Sequence, residues 1–428
     1  MKNKIKILYT LMILLAVFLV FAGCVTDPCT CGQGTCHGCD HDSGCNCNPD
    51  NGGCNCPPDK GGCNCEEGSG GCNCEPDEND KYRPSKYVFL FIGDGMGGNQ
   101  ARAPELYGNT VDFIRSPAKG LIYTHDYNYN VTDSAAAGTA LASGRKTTYG
   151  SLNINSDVDP TEHFKTIAEY AHEAGIKVGV LTTVSLTHAT PSAFYGKSSN
   201  RWDEEELAVQ LIASGFDYFA GGSIVVSDFQ NDFLIDAAKG AGYYVARSRG
   251  DFEALSPVSG KVIAFPPSEK IQNDGSLFYE VDRDYGDVDH WTLSDITRKG
   301  IDVLHNPDGF FMMIECGKID WACHNNDAER AVGEVLSLDQ AVKVALDFAA
   351  EYPDDTLIVI TADHETGGMD IASGYIRFTS YDHTGVPVPV YAFGANSSFF
   401  NGNFDNTDIF YRIARAMKLK VKSQHSFY

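Results

Sequence analysis

The chain has 428 residues, of which 43% are hydrophobic, enough apolar side chain for one large domain or two ordinary ones. Its 33 basic and 57 acidic residues leave a formal charge of −24, which argues against nucleic-acid binding through a basic surface. The acidity reads first as solubility and second as a supply of carboxylates for metals. Cysteine usage divides the chain: thirteen of the fifteen cysteines fall between Cys24 and Cys74, leaving Cys316 and Cys323 for the remainder. A globular core does not distribute cysteine in that way, so the N-terminal part is a separate object.

Residues 1–23 have the parts of an export signal, with Lys2, Lys4 and Lys6 ahead of an apolar run from Ile7 to Ala22. That run is short for a full membrane span of ~20 residues. It ends in Phe21-Ala22-Gly23-Cys24, which resembles the bacterial lipobox, where small residues precede a cysteine that is lipidated and becomes the mature N-terminus. Phe21 departs from the usual Leu or Val. The reading is a lipoprotein signal peptide over 1–23, a lipid anchor on Cys24, and an exported bacterial protein held on a membrane facing the periplasm or the exterior.

Residues 24–84 are of low complexity. A unit resembling Gly-Gly-Cys-Asn-Cys recurs every nine residues, with its first cysteines at Cys45, Cys54, Cys63 and Cys72. Almost no aliphatic residue is available to bury, so no core can form. The segment is expected to be a disordered, disulfide-crosslinked stalk with a reach of ~45 Å as a flexible coil. Metal capture by its Cys-x-Cys pairs is the weaker reading, because an oxidising compartment consumes thiols as disulfides.

From residue 85 to 428 the character is α/β. Tyr87–Ile92 is a continuous apolar run and reads as a buried strand. Similar runs occur at Lys177–Leu181, Gly309–Ile314, Thr356–Ile360 and Val388–Phe393. Between them lie helical stripes, one through Phe164, Ile167, Ala168 and Ala171 and closed by Gly175, and a longer one from Ala328 to Ala349 that stops before Pro353. Alternating strands and helices predict a three-layer α/β/α sandwich around a large, mostly parallel central sheet. Ligands in such sheets bind beyond the carboxyl ends of the strands, and the polar motifs of this sequence sit there.

The first strand runs into Gly93-Asp94-Gly95-Met96-Gly97, where glycines leave a carboxylate free to approach a metal. Next, Ser134 opens the alanine-rich segment Thr132–Ala140, so a helix N-terminus could receive a phosphoryl group; a plain serine or aspartate N-cap is the bland alternative. In Phe310–His324, Glu315 follows a strand and Asp320 and His324 are spaced to share one helical face. Oxygen and nitrogen donors of this kind suit zinc. Asp363 and His364 follow another strand, and His383 precedes the last one.

Taken together and in this order, these motifs resemble those of the alkaline phosphatases, from roughly Lys86 to Phe393. The resemblance implies hydrolysis of phosphate monoesters through a phosphoserine, with two zinc ions and one magnesium ion as cofactors. It implies Ser134 as nucleophile and Arg201, in Ser199-Asn200-Arg201-Trp202, as the guanidinium that clamps phosphate. Asp320, His324 and His383 would bind the first zinc, and Asp363 and His364, with Asp94, the second. Asp94 would bridge to a third site completed by Thr190 and Glu315. A homodimer is expected on the same ground.

Two positions depart from the best-known bacterial pattern: His188 stands where that pattern has an aspartate beside the third site, and Trp321 where it has a lysine near the substrate. Trp321 reads most simply as packing on the pocket wall. Cys316 and Cys323 could be buried thiols or a disulfide. A phosphodiesterase or phosphotransferase on the same metal scaffold is the nearest alternative; Ser134 with Arg201 favours monoesters, because Arg201 reads oxygens that a diester partly blocks. Sulfatase is disfavoured because no Cys/Ser-x-Pro-x-Arg motif surrounds Ser134. A surface metal-binding lipoprotein with a vestigial enzyme body is opposed by the full set of ligand candidates. Residues 223–289 carry no assignable motif and are left to substrate access or dimer contacts.

Overall fold

A computed structural model describes residues 82–156, 158–225, 228–283, 287 and 291–421, together with four two-residue strands nearer the N-terminus. The chain divides into two compact units, Met1–Tyr82 and Arg83–Tyr428. In the first, Thr30–Cys31 pairs antiparallel with Gly34–Thr35, and Asn46–Cys47 with Cys54–Asn55. The export signal, Cys24 and most of the cysteine-rich stalk lie outside the described residues. Among the described residues no helix is long and apolar enough to cross a membrane.

The second unit is built on a ten-stranded sheet. Its strands are β1 (Tyr87–Gly93), β2 (Ala118–Tyr123), β3 (Lys177–Thr182), β4 (Tyr218–Ala220), β5 (Tyr243–Ala246), β6 (Lys261–Ala264), β7 (Phe310–Cys316), β8 (Thr356–Thr361), β9 (Val388–Gly394) and β10 (Gly402–Asp405). Their spatial order is β5-β6-β4-β3-β7-β1-β8-β9-β2-β10. Every pairing is parallel except the two that flank β9, so β9 alone runs backwards. The five apolar runs predicted from the sequence are β1, β3, β7, β8 and β9.

Register decides where the chemistry falls. Along β7, Phe310 sits beside Tyr87 and Cys316 beside Gly93, while Glu315 sits between Ile92 and Thr182 on its two neighbours. On the other side of β1, Thr361 lies beside Ile92. These four strands therefore end in line, and the residues that follow them share one edge.

Strands β1, β7 and β8 are buried at every position, which requires cover on both faces. Helices α1 (Ser134–Ser143), α2 (Ile167–Glu173), α3 (Ala189–Ser192) and α7 (Asp408–Ala416) pack as one group; α4 (Leu293–Leu304), α5 (Lys318–His324) and α6 (Ala328–Glu351) form another. A capping box starts α2 at Thr166, whose side chain accepts from the Glu169 N–H while Glu169 accepts from the Thr166 N–H. Phe164 therefore precedes that helix instead of belonging to it. The motif-poor stretch 223–289 supplies β5 and β6, the far edge of the sheet.

Candidate active site

Each candidate ligand reaches the common edge by a local device. Asp94 is the first residue past β1, and the chain turns at once because Gly95 adopts φ +74°. The Gly95 N–H donates to Asp363 Oδ1 at 3.2 Å, tying the turn after β1 to the one after β8. Glu315 is the second-last residue of β7, and α5 then raises Asp320 and His324 on one face, with Asp320 Oδ2 3.4 Å from His324 Nε2. Glu365–Thr366 pairs antiparallel with His383–Thr384, which returns His383 to the edge beside His364. Their rings stack with centroids 3.6 Å apart.

Ser134 is the first residue of α1. Asp133 caps the helix, its Oδ1 accepting the Ala136 N–H at 3.1 Å. The Ser134 Oγ lies 3.4 Å from Asp94 Oδ2 and 3.3 Å from His364 Nε2. The free N–H groups and positive dipole end of α1 thus face a pocket of carboxylates and imidazoles. The Thr190 hydroxyl donates to the same Asp94 oxygen at 3.3 Å.

The electrostatics are those of a site built around cations. Burial, reinforced by the charges of Asp363, Asp320 and Glu315, drives the Asp94 carboxyl well above its usual range. Burial likewise pushes Glu315 up to about 8 and, with help from Asp320, Asp363 to about 6. His364 is held well below its ordinary value by burial and then by His383, and His188 falls to about 3 through burial and the Arg201 charge. Burial would raise Asp320 too, but the His324 hydrogen bond and the charges of His364, His383 and His324 outweigh it and lower the group. His324 rises to about 9 on its bond to Asp320. Crowded carboxylates that resist ionisation and imidazoles that resist protonation are both relieved by a bound metal.

Hydrogen bonding points the same way. Asp94 Oδ1, Asp363 Oδ2, Glu315 Oε1 and His188 Nδ1 are buried and make no hydrogen bond, although His364 Nε2 stands 3.4 Å from the first two. Among the described residues, three sets of donors have atoms within 4.8 Å of one another: Asp320, His324 and His383; Asp94, Asp320 and His364; Asp94, His188 and Glu315. Asp363 borders the second set, its Oδ2 3.4 Å from His364 Nε2. The donor chemistry and the orphaned atoms fit divalent cations.

Arg201 enters from the loop ahead of the helix Glu204–Ser214. Its Nη1 donates to Asp133 Oδ2 at 2.8 Å, and its Nη2 lies 3.3 Å from His188 Nε2. Trp321 packs edge-on against His188, with centroids 5.8 Å apart, and lines a cleft of about 440 Å³ that it shares with Ser134, Arg201, Asp320, His324 and His383. His188 also lines this cleft, whereas Asp94, Thr190, Glu315, Asp363 and His364 are fully buried and reach it through Ser134, which lies against Asp94 and His364. Cys316 and Cys323 are separate buried thiols, so the disulfide alternative is removed.

Several supporting residues were not singled out from the sequence. Asp133 holds both the nucleophile's helix and the guanidinium. Thr366 donates to Asp320 Oδ1 at 2.5 Å and lies 3.3 Å from His364 Nδ1, while Thr182 donates to Glu315 Oε2. The His383 Nδ1 faces the Thr132 carbonyl at 2.8 Å, and His324 Nδ1 faces that of Tyr381. Such carbonyls fix which imidazole nitrogen is left for a metal. Only Asp133 carried a sequence signal, its place just before an alanine-rich helix.

A serine hydroxyl at a helix N-terminus, set among donors spaced for several cations at the carboxyl edge of a parallel sheet, defines a metal-dependent hydrolase. The family model described as alkaline phosphatase matches residues 85–227 and 271–378, more than half of the chain. The chain belongs to the alkaline phosphatase family and is a phosphoric monoester hydrolase. It is 33% identical over 303 residues to alkaline phosphatase 4 of Bacillus subtilis (strain 168), a match covering 67% of this chain and 62% of that one. Against alkaline phosphatase 3 of the same strain it is 28% identical, covering 79% and 90%. The solved alkaline phosphatase of the Antarctic bacterium TAB5 superposes with a TM-score of 0.71 at 30% identity, over 80% of this chain and 100% of that one. A histidine-to-glutamate variant of the TAB5 enzyme, with magnesium bound in its M3 site, gives a TM-score of 0.71 at 29% identity over the same shares.

Proposed function

We propose that the chain hydrolyses phosphate monoesters in two steps through a phosphorylated Ser134. The observation that carries this reading is the position of the Ser134 Oγ, at the start of α1 and within 3.4 Å of both Asp94 and His364. Asp320, His324 and His383 would hold one zinc, and Asp94, Asp363 and His364 a second. Asp94, Thr190 and Glu315, with His188 beside them, would hold magnesium. The TAB5 histidine-to-glutamate variant, with magnesium bound in its M3 site, supports a third metal site that takes magnesium. When bound, such ions neutralise the phosphate and polarise the entering and leaving oxygens.

The chain's own residues do the rest. Ser134 attacks phosphorus in line and the alcohol departs; water then attacks the phosphoserine and releases inorganic phosphate. The N-terminal dipole of α1 favours the serine alkoxide and the incoming anion. Arg201 receives two non-bridging oxygens in its planar fork, steadied by Asp133. Ser134→Ala should abolish most turnover of a monoester while zinc content and fold persist, since Ser134 is no essential structural ligand. Full activity in that variant would exclude the covalent route.

The N-terminal sequence supports export and anchoring through a lipid on Cys24, with attachment made firm by more than one acyl chain. Cys24→Ser should move the activity from the membrane fraction to the soluble one. Retention on the membrane with the apolar segment uncleaved would make that segment the anchor instead.

A further inference from the structure

The cleft has a rim that phosphoryl transfer itself does not use. Trp202 is 71% exposed and Tyr149 66% exposed, yet both line the same cleft as Ser134 and Arg201. Val131, 46% exposed, and the half-buried Trp321 extend this wall. Large aromatic faces left in water gain nothing from the fold, and the placement of two of them together at the mouth of the cleft that holds Ser134 marks a recognition surface.

The rim is also registered to the reacting atoms. The Arg201 N–H donates to the Gly150 carbonyl at 2.8 Å, so Tyr149 and Trp202 issue from adjoining backbone. The Gly150 N–H in turn donates to Asp133 Oδ1 at 3.0 Å, the oxygen that caps the nucleophile's helix. The Arg201 guanidinium carbon stands 5.0 Å from the centre of the Trp202 ring and steadies it. Trp321 is fixed by its edge-on contact with His188. A cleft of about 440 Å³ exceeds the needs of a phosphate and leaves room for an organic leaving group beside these faces.

We propose that this rim stacks on a planar aromatic group carried by the leaving alcohol, so that nucleoside monophosphates are preferred to sugar phosphates of the same alkoxide. The proposal rests on the phosphatase reading above. Aromatic side chains stack on any base because every base has a π-face, and Trp and Tyr do so with little conformational entropy to lose.

Adenosine 5′-monophosphate and ribose 5-phosphate present the same primary alkoxide, so the ratio of their kcat/KM values isolates the base. The metal-loaded full chain should favour the nucleotide by roughly tenfold. Tyr149→Ala and Trp202→Ala should each pull that ratio towards one, and Tyr149→Ala should leave ribose 5-phosphate turnover unchanged. Trp202→Phe, which keeps a face for stacking, should retain the preference. A wild-type ratio near one, or equal losses on both substrates in the Tyr149 variant, would overturn the subsite alone. Absence of turnover on both substrates in the wild type would overturn the phosphatase reading and the subsite with it.

Discussion

Gly95→Ala is the smallest change that should disconnect the two halves of the metal centre. Gly95 holds φ +74°, a conformation that costs an L-residue about 1–2 kcal/mol. A Cβ there would stand 2.8 Å from Asp320 Cα and 2.9 Å from Thr366 Oγ1. Ordinary contact begins near ~3.5 Å, so the start of α5 must retreat by roughly 0.7 Å. Overpacking of this kind adds about 1–3 kcal/mol, for a total of about 2–5 kcal/mol. The displaced group is Asp320, which belongs to two of the donor sets, so the separation of the two metal positions those sets define would change. A shift approaching 1 Å in a phosphoryl-transfer site costs on the order of 100-fold in rate. Gly98→Ala is the control, since nothing lies within 4 Å of its Cβ position and its φ is not positive. Urea unfolding, zinc content and kcat/KM should all fall for Gly95→Ala and stay level for Gly98→Ala. Matching behaviour of the two variants would refute the argument.

Chelation should lower the melting temperature as well as abolish turnover, because Asp94, Glu315 and Asp363 would be left buried together with unpartnered oxygens; equal melting with and without chelator would contradict this. His188→Asp should retain magnesium through dialysis better than the wild type, since the buried imidazole, held down to about 3, adds no negative charge to the third site, whereas a carboxylate would. Equal magnesium loss from both, measured by elemental analysis, would sink that reasoning.

Asp94, Glu315, Asp363 and His364 were legible because each lies in or next to a strand whose apolar run is a local signal, whereas Thr190 and His188 were indicated only by the family resemblance. The i,i+4 pair Asp320 and His324 was legible for the same reason, as a single helical face. The supports were not. Asp133 reaches Arg201, Thr366 reaches Asp320 and Thr182 reaches Glu315 across long separations in sequence, and nothing in a lone threonine announces its partner. Half of the sheet also escaped notice. β4 has only three residues, and β2 and β10 expose positions that break an apolar run, so their pattern is set by neighbours. The reversed direction of β9 is likewise a property of the chain path and leaves no mark on its own residues.

That reversal changes how freely the cleft can vary. A parallel crossover must carry the chain back across the whole sheet and usually needs a helix. The path from β8 to β9 instead leaves and re-enters at the metal-bearing edge, carrying His364 near its outset and His383 near its return. Its length is therefore free of the width of the sheet. Residues between Asp370 and Arg377, the bridged tip of this excursion, can lengthen, shorten or exchange while the two imidazoles stay pinned by the short pairing of Thr366 with His383. Diversification of this family's reach towards bulkier esters has a ready-made place to occur, and grafting a longer segment there would reshape the mouth without moving a strand.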